Sequence, residues 1–139
     1  MITIRPYQDA DYDMVARLQA SEDMLEDHWD SRESFAARVA ERPNAILVAE
    51  VGGEVVGSVA SIAHGTEAAW LFRLVVAESH RKQGIASALL ERMTEALKAD
   101  GFKEVALWAN SKDSSLHEFY KHRGYKTSEH AYIVMWKPL

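Results

Sequence analysis

The chain has 139 residues, a formal net charge of −5, 47% hydrophobic residues and no cysteine. That length and apolar content fit one globular domain over residues 1–139, not a disordered chain, and the missing cysteines exclude a disulfide scaffold, thiolate zinc and a cysteine nucleophile. The acidic balance speaks against a general nucleic-acid binder; with no basic leader and no run near the roughly 20 apolar residues of a membrane span, the expectation is a cytoplasmic protein with neither a membrane nor a nucleic-acid partner.

Residues 2–5 (Ile-Thr-Ile-Arg) alternate as a first strand. Asp9 or Asp11 is placed to cap a helix that turns Met14, Val15 and Leu18 inward. A second helix is predicted over 31–42, with Phe35, Ala36 and Val39 at core spacing and Pro43 as its stop. Residues 45–51 and 54–63 read as a hairpin about Gly52-Gly53, and Gly65-Thr66-Glu67 turns into an apolar strand over 70–76. Ile85, Ala86, Leu89, Leu90, Met93, Ala96 and Leu97 form one stripe of a long helix closed by Asp100-Gly101. A buried strand over 105–108 follows, then a short helix opened by Asp113-Ser114-Ser115 and bearing Leu116, Phe119 and Tyr120. Residues 132–136 read as a final strand, its partner segment interrupted near Ser128-Glu129-His130. The order β-α-α-β-β-β-α-β-α-β-β describes an α/β sandwich on a mixed sheet.

Chemistry concentrates in Arg81-Lys82-Gln83-Gly84-Ile85-Ala86, a basic turn between the 70–76 strand and the long helix. The first N–H groups of a helix lack intrahelical partners and the dipole there is positive, so such a turn binds anions. Gly84 permits close approach to the backbone, while Arg81 and Lys82 add full charges. The expected ligand bears phosphate; the bland alternative is a solvated turn with a tight helix start.

In this setting Arg-x-x-Gly-x-Ala resembles the acyl-CoA pyrophosphate loop of the GNAT superfamily of N-acetyltransferases. Neither Gly-x-x-x-x-Gly-Lys-Ser/Thr nor Gly-x-Gly-x-x-Gly is present. Phe119-Tyr120-Lys121-His122-Arg123-Gly124-Tyr125, about 40 residues further on, resembles the superfamily's Phe-Tyr-x-x-x-Gly-Phe signature, although alone it reads as a glycine-capped helix end with aromatic packing. The resemblance covers nearly the whole chain and is strongest from about 74 to 125. It implies a GNAT-like three-layer sandwich with acetyl-CoA as co-substrate. Backbone N–H groups of Leu74, Val75 and Val76 would hold the pantetheine and polarise the thioester, through a β-bulge that frees ladder donors. Arg81, Lys82, Gln83, Gly84, Ile85, Ala86 and Ser87 would cradle the pyrophosphate. Tyr120 would protonate the departing sulfur; its competing reading is a packing tyrosine.

Four departures from the superfamily pattern matter. Lys82 stands where glycine is common, and Glu78-Ser79 replaces a Pro-Glu before the loop. Asp113 replaces an asparagine and suits a helix N-cap, with Asn110 near enough to supply the missing amide. No carboxylate stands at Phe72, Arg73 or Trp108, which leaves Glu22, Glu26, His28, His64 and Glu67 as candidate bases. Glu22, Asp23, Glu26, Asp27 and Asp30 form an acidic cluster whose plain reading is a solvated face and whose functional one is attraction of a cationic substrate. Arg73 is offered as a partner for an acceptor carboxylate. His117 and His122, five apart, do not share a helical face, and no other ligand triplet appears, so no metal is expected; a serine hydrolase is rejected because there is no Gly-x-Ser-x-Gly elbow. The expectation is direct transfer of acetyl to a primary amine of a small molecule. Alternatives are a protein N-terminal or lysine acetyltransferase and a non-catalytic acyl-CoA-binding module; the resemblance also allows a homodimer through the last strands.

Overall fold

The alternation at the N-terminus and around residue 48 is realised as two paired antiparallel strands in the computed structural model, which describes residues 1–26 and 28–139. Asp27 of the acidic cluster lies outside the described residues. The elements are β1 (Ile2–Pro6), α1 (Tyr12–Ser21), α2 (Arg32–Glu41), β2 (Ile46–Val51), β3 (Glu54–His64), β4 (Ala68–Val76), α3 (Ile85–Ala99), β5 (Glu104–Leu107) and α4 (Ser114–Lys121), with single 3-10 turns at Asp9–Asp11 and Glu78–His80. The sheet runs β1-β2-β3-β4-β5, antiparallel from β1 to β4 and parallel between β4 and β5. A parallel partner needs a long crossover, and α3 supplies it.

The chain divides into two compact units, Met1–Leu107 and Trp108–Leu139. The first holds the sheet and α1 to α3. Tyr7, Val15, Leu18, Phe35, Ile46, Val48 and Val75 form a core beneath α1 and α2. Successive strand residues alternate, so Leu47 and Ala49, also fully buried, point to the other face. There α3 lays down Ile85, Leu89, Leu90, Met93, Ala96 and Leu97, the stripe expected from the sequence. Gly57 lets this layer close: a Cβ built there would stand 3.1 Å from the Val75 carbonyl oxygen and 3.2 Å from Leu89. Within this first unit α1 and α2, the sheet, and α3 form three layers.

Three expectations need correction. Asp11 does not cap α1 with its side chain; its carboxylate accepts from the Gln8 N–H at 2.8 Å and from both Arg5 amino groups, bracing the preceding turn. β5 stops at Leu107, not Trp108. The two strands expected after α4 are not found among the described residues: there α4 is the last regular element, and Tyr132 and Trp136 are 74% and 79% exposed. Apolar alternation marks a face, whereas a strand also requires a neighbour to complete its ladder. Residues 132–136 have the pattern without the ladder.

Candidate functional site

β4 is interrupted where the sequence analysis places thioester polarisation. Ser58 pairs with Val75 and Gly57 with Val76, but Ala60 pairs with Phe72, so Arg73 and Leu74 together oppose Val59. This is a β-bulge, and Arg73 takes φ +57°, a left-handed conformation usually reserved for glycine. On the opposite edge, the ladder to β5 ends at the pair Leu71 and Leu107. The backbone from Phe72 to Val76 therefore has no β5 partner. Of the three residues expected to supply donors, Leu74 lies outside the β3 ladder, while Val75 and Val76 are paired within it.

Continuing along the chain, residues 77–84 lead from this edge into α3. Gly84 is the N-cap, with φ +82° and no side chain to accept from the first-turn amides; no acidic residue occupies that turn. Two other helices differ. Ser31 caps α2 by accepting from Ser34 N–H, and Asp113 caps α4 by accepting from Leu116 N–H. Only α3 of these three leaves its positive end uncompensated, and Arg81, Lys82 and Gln83 stand immediately before it. Arg81 donates from Nε to the Val76 carbonyl at 3.2 Å, which ties the loop to the end of β4, and its Nη2 pairs with Glu22 just beyond α1.

Lys82 also adopts positive φ, +62°, explaining why glycine is the easier residue there. A left-handed conformation costs an L-residue about 1–2 kcal/mol. Lys82→Gly should therefore stabilise the fold by up to about 1 kcal/mol once the added freedom of the unfolded chain is offset, measured as a rise in the urea midpoint at constant slope.

The acidic segment from Glu22 to Asp30 is more ordered, among its described residues, than the sequence suggests. Asp30 is fully buried; it receives Arg73 Nε at 3.2 Å and Arg73 Nη2 at 3.0 Å, and the Glu26 N–H at 2.9 Å. The solvated-face reading therefore suits Asp23 and Glu26, which are exposed, and fails for Asp30. Arg73, offered as a partner for an acceptor carboxylate, is already engaged by this internal one. Nothing local in the sequence pairs two residues 43 apart. Arg38 of α2, unremarked in the sequence, lies 5.0 Å over the Phe72 ring and bonds to the Trp29 carbonyl. Among the candidate bases, His64 pairs with Ala68 at the opposite end of the β3–β4 ladder, and exposed Glu67 pairs with Lys103 at 3.1 Å. Both stand roughly 17–20 Å along the strands from the bulge, too far for proton transfer there.

The second unit holds Asn110, Asp113 and Tyr120. Asn110 Oδ1 accepts from the Lys112 N–H at 3.0 Å, and its carbonyl accepts from the Asp113 N–H, so the amide shapes the turn into α4. Asp113 takes the capping role: its Oδ1 accepts from Leu116 N–H and Ser115 Oγ, and these bonds hold its carboxyl below the usual range. The Tyr120 ring is wedged edge-on against Phe119 and Tyr125, at 5.2 and 5.3 Å. Burial pushes its phenol up to about 12, so it remains a proton donor throughout the neutral range.

The acetyltransferase (GNAT) family model matches residues 9–125. N-acetyltransferase family 8 member 2 of Rattus norvegicus is 34% identical over 97 residues, 66% of this chain, which spans only 43% of that protein's length. An acetyltransferase of Sodalis glossinidius is 28% identical over 131 residues, 94% of this chain and 92% of its own. Among solved structures, Ard1 from Thermoplasma volcanium aligns with a TM-score of 0.78 at 22% identity, over 91% of this chain and 84% of that one. The Mycobacterium tuberculosis protein Rv2747, solved in complex with CoA and NLQ, gives a TM-score of 0.75 at 17% identity, over 95% and 76%. With the bulged β4, the uncapped α3 and the family match over most of its length, the chain belongs to the GNAT family of acetyltransferases.

Proposed function

We propose that the chain transfers the acetyl group of acetyl-CoA directly to a primary amine of a small molecule, with residues 1–139 acting as one domain in the cytoplasm. The observation carrying this reading is the continuity of an unpartnered β4 edge with a helix N-terminus stripped of cap and acid. The edge suits the amides of pantetheine and the helix end suits pyrophosphate, and the chain runs from one to the other through Arg81. In this reading Leu74, at the bulge, directs a backbone N–H at the thioester carbonyl. As the neutral amine attacks that carbonyl carbon, the C–S bond breaks, Tyr120 gives its proton to the leaving sulfur, and the proton shed by the new amide nitrogen passes to water, from which the phenolate is reprotonated. Without a cysteine there is no thiol to carry the acetyl group, so both substrates are bound together. The CoA complex of the M. tuberculosis neighbour supports the choice of donor. The test is release of free CoA thiol from acetyl-CoA against amines, amino acids and peptides. Turnover with small acceptors supports the proposal; turnover confined to peptides favours a protein acetyltransferase, and CoA binding without turnover favours a binding module.

Glu22 competes with pyrophosphate for Arg81. Both side chains are partly exposed, at 37% and 45%, so the pair contributes no more than about 1 kcal/mol. Glu22→Gln should tighten CoA binding by up to about five-fold at low salt, with the gain shrinking as salt rises; calorimetric titration measures it.

A further inference from the structure

Asp30, Arg38 and Arg73 form a cluster with more positive than negative charge. Asp30 satisfies Arg73, as a fully buried carboxylate taking both Nε and Nη2. Arg38 has no such carboxylate among the described residues. Its Nη2 donates to the Trp29 carbonyl, its guanidinium lies 5.0 Å from the centre of Phe72 and 5.6 Å from that of Phe35, and its Nη1 is buried with no hydrogen-bond partner among the described residues. Burial, opposed by Asp30 and assisted by Arg73, holds its pKa below the ordinary arginine value. An unmatched buried guanidinium N–H and one surplus cation are costly, and stacking on two rings offsets only part of that cost. A carboxylate offers the planar pair of acceptors that a guanidinium edge matches.

Position supplies the second half of the case. Arg38 covers Phe72, and Leu74 of the bulge lies two residues further along β4, about 7 Å away. On its other side Arg38 borders a small open depression of about 80 Å³ with Glu41, Arg42, Ala45, Ser61, Ile62 and Ala63, beside the β3 residues that pair with Ala69 to Leu71 and so away from the bulge. Arg42, the other guanidinium there, is occupied by the Ser61 hydroxyl at 2.8 Å and the Ser61 carbonyl at 3.2 Å.

We infer that Arg38 is the acceptor-specificity residue: it receives a carboxylate of the acceptor, so the preferred acceptor is an amino acid or another small amine with a carboxylate a few bonds from the nitrogen. This rests on the acetyl-transfer reading above and narrows it. Arg73, neutralised by Asp30, shapes the site without binding the substrate.

The test compares amino acids with their matched carboxamides and decarboxylated amines, in wild type, Arg38→Gln and Arg38→Lys. CoA-thiol release is read together with amino-acid binding to the CoA-loaded protein by calorimetry. For the acids, wild type should show kcat/KM at least ten-fold above that for the carboxamides. Arg38→Gln should raise KM for the acids ten-fold or more with kcat within three-fold, leave the carboxamides unchanged, and remove acid binding; Arg38→Lys should restore part of it. Because Arg38→Gln deletes a desolvated cation, its melting temperature should equal or exceed that of wild type, and Arg38→Lys serves if it does not fold. Equal turnover of acids, carboxamides and amines, indifferent to Arg38, overturns the inference and leaves acetyl transfer intact. Arg38-dependent amino-acid binding without turnover supports the inference and overturns the transferase. Neither binding nor turnover overturns both.

Discussion

Tyr120→Phe should lower kcat for acetyl transfer at least 100-fold and leave CoA affinity within about two-fold of wild type. Proton transfer to a departing group by a positioned side chain contributes typically 10²–10⁴-fold, and phenylalanine keeps the ring while deleting the proton. The ring contacts with Phe119 and Tyr125 survive the change, so a packing tyrosine would tolerate it and kcat would move by a few-fold at most. That outcome would remove Tyr120 from the chemistry. The phenol is pushed up to about 12 by burial, so wild-type activity should show no loss through Tyr120 ionisation anywhere below pH 10. The linkage has a definite sign. The folded pKa lies above the ordinary value near 10, so folding favours the protonated phenol; its contribution is complete below pH 10 and is lost as pH rises towards 12. Tyr120→Phe should accordingly flatten alkaline unfolding across pH 10–12, a control that shows the residue is as buried as the geometry states.

The sheet and helices were legible because each announces itself locally. The α3 stripe from Ile85 to Leu97 has a helical period, Gly52-Gly53 separates two apolar runs, and Gly84 follows a basic turn, all visible within short windows. The basic turn before an uncapped helix was legible for the same reason. The β4 bulge was expected only through resemblance, since one extra residue in a strand of nine leaves no local mark. The pair between Asp30 and Arg73 could not be read at all: it joins a loop to a strand 43 residues away, and an aspartate among Glu22, Asp23 and Glu26 looks solvated. Arg38 was hidden in another way, because an arginine on α2 is unremarkable until Phe72 is found beneath it. At the C-terminal end the failure ran in the opposite direction. The alternation over 132–136 has every local sign of a strand and lacks the one non-local requirement, a ladder. Local chemistry thus singled out the basic turn before α3, while the Asp30–Arg73 pair and the stacking of Arg38 on Phe72 emerged only from long-range contacts.

Asp30→Ala should destabilise the fold by about 3–5 kcal/mol, the cost typical of removing one partner from a buried ion pair. The carboxylate is fully buried and holds together three things: Arg73 by two hydrogen bonds, the Glu26 N–H, and the entry to α2, whose cap is the next residue, Ser31. Its backbone also contributes, accepting from the Tyr12 hydroxyl at 2.6 Å, but that bond survives truncation. Without the carboxylate, Arg73 loses its ion-pair partner and the repulsion between Arg73 and Arg38 is no longer offset by Asp30. Arg73 would leave its left-handed conformation, and the bulge it occupies would lose its anchor. The expected result is a fall in melting temperature of roughly 10 °C or more, together with a raised KM for acetyl-CoA, because Leu74 sits in that bulge. Charge, not volume, is the cause, and a double-mutant cycle separates them. Arg73→Ala in the Asp30→Ala background removes the orphaned cation, so the double variant should be more stable than the two single losses added together, with a coupling of at least about 2 kcal/mol. A coupling near zero, or a loss below about 1 kcal/mol for Asp30→Ala alone, would mean that solvent screens the pair despite its burial. The bulge would then be held by the β3 ladder and the packing of Val75, not by charge.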